Sequence, residues 1–74
     1  MFNFFMKNNA NKEQIEALRK ERSRYVMTAN QFKIAASIAK QKGEDDIDDQ
    51  LKTLYRWYID AIVDIDFRIE ELKN

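Results

Sequence analysis

Five carboxylates fall within six residues at Glu44, Asp45, Asp46, Asp48 and Asp49, and they are the densest chemistry-bearing group in the chain. Such a cluster could bind a cation, move protons, or attract a basic partner. An EF-hand calcium loop is disfavoured, because the run lacks the alternating ligands, the turning Gly and the distal Glu that the loop requires. Proton transfer would need a pocket, and nucleophilic chemistry would need an activated group. The chain has no His and no Cys, no Gly-rich phosphate loop, and no evident activating partner for Ser23 or Ser37. No catalytic residue, metal site or cofactor is therefore expected, and the chain reads as a non-enzyme. What remains is electrostatics. The five acids suit the start of a helix, where the helix dipole favours them. Joined to Asp60, Asp64, Asp66, Glu70 and Glu71, they could also imitate duplex phosphate and occupy a basic DNA-binding channel.

The opposite charges lie upstream. Residues 1–42 hold nine Lys or Arg against three Glu, and residues 43–74 hold four against ten Asp or Glu, so a net charge of zero conceals a basic half and an acidic half. That division points to a charged partner, or to self-association in which the halves neutralise each other. Lys12, Arg19, Lys20, Arg22 and Arg24 could contact nucleic-acid phosphate, although Glu13, Glu16 and Glu21 interrupt them. A solvated helix carrying local or intersubunit ion pairs is the competing reading.

The elements that must hold these groups are helices. No Pro, one Gly and an abundance of Ala, Lys, Glu, Gln, Leu and Ile predict an all-α chain. One domain, residues 1–74, divides into an aromatic N-terminal arm (1–11), a helix over about 12–42 and a helix over about 46–73. Asn11 is a candidate cap for the first helix, with Gln14 completing a capping box; Gly43 offers the left-handed residue that ends it, and Asp45 or Asp46 could cap the second. So short a connection makes the helices antiparallel neighbours. No targeting or membrane-spanning segment is read, so a cytoplasmic location is expected.

Ile15, Leu18, Tyr25, Ala29, Phe32, Ala36 and Ala39 share one face of the first helix. Ile47, Leu51, Leu54, Tyr58, Ala61, Ile65 and Leu72 form the matching face of the second, widened by Tyr55, Ile62 and Ile69. Arg22 and Arg68 fall in or beside these seams, where each must snorkel or meet a carboxylate. Met27, Ile34 and Ile38 behind the first helix, and Ile59, Val63 and Phe67 behind the second, cannot be buried by one hairpin. A homodimer that completes a helical bundle is expected to cover them, since 74 residues bury only a marginal core alone. Phe2, Phe4 and Phe5 either fold over an open end of that bundle or, with Trp57, anchor a partner.

Two resemblances add to this reading. Gln50-Leu51-Lys52-Thr53-Leu54-Tyr55 is similar to the glutamine-leucine-aromatic peptides that dock on the bacterial replicative sliding clamp, although those bind extended, and here Leu51 and Leu54 belong to a helical core. In its size, its two-helix plan, its Met-Phe-Asn-Phe-Phe start and its Glu44 to Asp49 run, the chain resembles small early phage proteins that shut down host replication, notably the Twort-type inhibitors of the sliding clamp. That resemblance implies a dimer that occupies the clamp's DNA channel in the host cytoplasm. Asp45, Asp46, Asp48 and Asp49 would then steer the approach, with Phe2, Phe4, Phe5 and Trp57 as anchors. The alternatives are a dimeric hairpin that binds nucleic acid through Arg19, Lys20, Arg22 and Arg24, and a structural or adaptor bundle.

Overall fold

The computed structural model describes the backbone of residues 2–74 and the side chains from residue 10 onward. The proposed roles of Phe2, Phe4 and Phe5 therefore lie outside the described side chains. Two helices, α1 (Phe2–Gln41) and α2 (Asp45–Lys73), pack against each other as an antiparallel hairpin. Its backbone extends 63 × 14 × 11 Å. Among the described residues no helix is long and apolar enough to cross a membrane.

The turn follows from its one glycine. Gly43 adopts φ 75°, which side-chain-bearing residues rarely tolerate. Its N–H donates to the Lys40 carbonyl at 3.1 Å and the Glu44 N–H donates to the Ala39 carbonyl at 2.9 Å, the paired bonds of a Schellman motif. The next helix opens at once. Glu44 occupies its N-cap position without a side-chain capping bond, so Asp45 and Asp46 are first-turn residues rather than caps, stabilised there by the helix dipole.

The start of α1 also differs from the sequence reading. The helix runs back to Phe2 instead of beginning near Lys12, and nothing between Asn8 and Asn11 breaks it, since that stretch has neither Pro nor Gly. Asn11 is thus an interior residue. Its Nδ2 donates to the Leu72 carbonyl at 3.3 Å, satisfying one of the carbonyls left open at the end of α2.

Between the helices runs a seam of alternating three- and four-residue steps, the spacing of a coiled coil. Positions 15, 18, 22, 25, 29, 32, 36 and 39 of α1 meet 48, 51, 55, 58, 62, 65, 69 and 72 of α2, and each is buried or half-buried. Ala29, Ala36 and Ala39 are nearly solvent-free and let the backbones approach near the loop. The Tyr58 ring lies edge-on to Tyr25 with centroids 5.4 Å apart and tilts toward Phe32 at 5.6 Å. Ile62, Ile65 and Ile69 continue the core, each worth roughly 1.5–3 kcal/mol of burial.

This register corrects one assignment. Ile47 was expected in the seam and instead stands 45% exposed, while Asp48 turns inward and is 5% exposed. Counting back from Leu72 through 69, 65, 62, 58, 55 and 51 lands on 48, so the packing phase of the later turns sets the first one. Arg22 meets a carboxylate as its position demanded: its Nε donates to Asp66 Oδ1 at 2.7 Å. With the two side chains 43% and 48% exposed, solvent screening keeps that pair below about 1 kcal/mol. Arg68 remains exposed beside the seam.

Candidate protein-interaction surface

Packing divides the acidic half into three groups. Asp48 is internal: one carboxylate oxygen pairs with Lys52 Nζ at 3.1 Å, and Oδ1 is buried without a hydrogen-bond partner. It cannot serve as a solvent-facing steering charge, which corrects its place among the partner-binding residues. Asp66 and Glu70 are engaged by Arg22 and Lys73 respectively. The remaining acids are exposed in two places. Glu44, Asp45, Asp46 and Asp49 surround the tip of the hairpin, with the exposed Ile47 between them. Asp60, Asp64 and Glu71 lie along the exposed outer side of α2, with Asp64 and Glu71 bordering the groove that α2 forms with Leu18, Glu21 and Tyr25.

The apolar residues left outside the seam follow the same geometry. On α1, Met27 is 63% and Ile34 61% exposed, with Ile38 nearby; on α2, Trp57 is 64% and Phe67 66% exposed, with Val63 between them. Ile59 departs from the expected set of six. It is half-buried, because it stands four residues after Tyr55 and three before Ile62, both seam positions, and so falls beside the seam. Of the residues read as a dimer surface, Met27, Ile34, Ile38, Val63 and Phe67 are open.

The outer residues have a regularity that the apolar pattern alone hides. Trp57, Asp60, Asp64 and Phe67 advance by three, four and three residues, which puts them on one stripe of α2. Ala17, Lys20, Arg24, Met27 and Gln31 advance by three, four, three and four along α1. All of them are exposed. Along this stripe two aspartates, Asp60 and Asp64, join Trp57 to Phe67.

The flanks of the seam offer open grooves. One of about 650 Å³ runs past Arg19, Arg22 and Ser23 to Asp66, Glu70 and Lys73, where charges of both signs face each other. Among the described residues, no three metal-ligating side chains converge on a point. Tyr25 holds its proton above the ordinary phenol value, because the Glu21 carboxylate one turn back accepts its hydrogen bond and opposes the phenolate by charge, with some added burial.

No protein-family model matches the chain, and neither a curated protein nor a solved structure matches it.

Proposed function

We propose that this protein is a non-enzymatic inhibitor of host DNA replication, encoded by a phage, that binds the bacterial replicative sliding clamp and blocks its DNA channel. The observation that carries the reading is the tip of the rod, where Asp45, Asp46 and Asp49 stand free around the exposed Ile47. A clamp channel is basic because it follows duplex phosphate. A narrow body led by carboxylates would be steered into it, and apolar contacts would hold it there. The acids imitate DNA only in part, since α1 is basic and must face away from the channel wall or be neutralised by carboxylates.

The nucleic-acid reading is weaker on one specific ground. Arg22, central to its basic cluster, is engaged by Asp66. Arg19, Lys20 and Arg24 remain exposed, but only Lys20 and Arg24 share a stripe, with Arg19 turned to another side of the helix.

The test is competition. Purified sliding clamp is given fluorescent primer–template DNA and its loader, and the protein is titrated in. The proposal expects loss of clamp-bound DNA at stoichiometric protein, with the Asp45→Asn, Asp46→Asn, Asp49→Asn triple variant weaker by at least about tenfold. No binding to the clamp would refute it. Direct binding of the DNA by the protein, falling steeply with salt, would move the nucleic-acid reading ahead.

A further inference from the structure

We infer that the outer stripe of α2 is the docking surface for the outer stripe of α1 in a second copy of this chain, joined head to tail. The argument is a match of spacing, size and charge. Set antiparallel, the two stripes step together. Phe67 falls opposite Ala17, a large ring against the smallest side chain available. Asp64 then meets Lys20, and Asp60 meets Arg24. Trp57 meets Met27, a thioether against an indole. Thr53 meets Gln31, and one step beyond Phe67 the same register sets Glu71 against Glu13, the like-charged pair at which the match stops. Every side chain of the matched pairs is exposed within a single copy.

The match is not provided by the hairpin itself. The stripes lie outside the seam, although Ala17, Asp64 and Phe67 also border its flanking grooves, and among the described residues no ion pair within one copy joins Lys20 or Arg24 to Asp60 or Asp64. One copy's α1 must therefore dock on another copy's α2. The pairing has the same direction as the intramolecular one, in which Tyr25 faces Tyr58 and Arg22 faces Asp66. Added copies thus extend a layer of alternating basic and acidic helices. A contact of this kind is heterologous: it leaves one free stripe of each type at the ends, and it closes only if successive copies turn into a ring. Charge complementarity between the halves is the element that selects this partner, because the Lys20 and Arg24 edge repels its own kind, as does the Asp60 and Asp64 edge. The inference stands independently of the clamp, which is reached by the tip. It assigns Trp57 to self-contact rather than to a clamp anchor.

Charge exchange tests it. Sedimentation velocity is run on the full chain, on Asp60→Lys with Asp64→Lys, on Lys20→Asp with Arg24→Asp, and on an equal mixture of the two variants. The expected result is concentration-dependent growth beyond a dimer for the natural chain. Each variant alone should associate more than about tenfold more weakly, and the mixture should recover. A monomer at all concentrations, association unaffected by either exchange, or a mixture that fails to recover would overturn the proposal. A second measurement does not depend on charge. The chain has no cysteine, so Met27→Cys and Trp57→Cys can be made singly and oxidised. Cross-linking only when the two are mixed supports head-to-tail docking. Efficient cross-linking of Met27→Cys with itself would show α1 against α1 and refute it.

Discussion

Along α2, Tyr58, Ile62 and Ile65 face α1 and are buried or half-buried, whereas Trp57, Asp60 and Asp64, taken from the same turns at the same steps, stand in water. The two faces share a spacing and differ in composition. Inward positions combine small residues, branched aliphatics and rings, with their few polar groups mostly matched. Outward positions combine rings with unpaired charge. The inner face thus accounts for the fold, and the outer face is the one we propose for recognition. A helix with only the first would be a scaffold with nothing to present.

The sharpest way to break this comparison is to truncate one residue from each face. Ile65→Ala should destabilise the hairpin by roughly 2–5 kcal/mol, enough to unfold much of so small a core. Phe67→Ala, which removes more surface, should change the stability of the isolated hairpin by less than about 0.5 kcal/mol. Thermal melting followed by circular dichroism at low protein concentration measures both. Equal losses would make the outer stripe part of the core.

Gly43→Ala is next in size. The added methyl meets nothing within 4 Å, so its effect is purely one of backbone conformation at φ 75°. It should cost about 1–2 kcal/mol by denaturant titration. A smaller loss would mean that the turn relaxes, loosening the phase between the helices on which both faces depend.

Much of this arrangement was legible in the chain. The hairpin, the role of Gly43 and the need of Arg22 for a carboxylate all follow from local rules, because they depend on residues near in sequence or on the cost of a buried charge. The first turns of the helices were not legible. Ile47 looked like core and Asp48 like surface, since each has the usual character of its assigned place. Only the packing phase carried from Leu72 exchanges them. Asn11 looked like a cap because its usual alternative, bonding to a distant carbonyl, is invisible until the helices meet. The tip acids were legible as a group, but which of them stays free depended on that same phase.

Asp48→Leu sharpens the comparison from the polar side. The substitution removes a buried oxygen without a partner and leaves Lys52, which is more than half exposed, to solvent. It also loses a favourable dipole contact. The net effect should be a gain of up to about 1 kcal/mol in urea titrations, while Asp45→Leu at the exposed tip gains nothing. A clear loss from Asp48→Leu would show that the inward acid contributes to stability.

The smallest effect concerns pH. Tyr25 has a folded-state pKa above its ordinary value of 10.0. The folded chain therefore holds this proton more tightly than the unfolded chain, and the associated stabilisation is complete below the ordinary value and lost as pH rises through the raised one. Tyr25→Phe should flatten the alkaline end of the stability curve while leaving its slope near neutral pH unchanged. A change in that neutral slope would assign the effect to another group.

The division between a folding face and a recognition face is tested most directly by one measurement: the thermal midpoint as a function of protein concentration, for the natural chain and for Trp57→Lys with Phe67→Lys. Self-association stabilises by mass action, so the natural midpoint should rise with concentration while the variant's stays flat, the two converging on dilution. A variant midpoint lower by the same gap at every concentration would place the outer stripe in the fold. A flat natural curve would remove the second copy altogether.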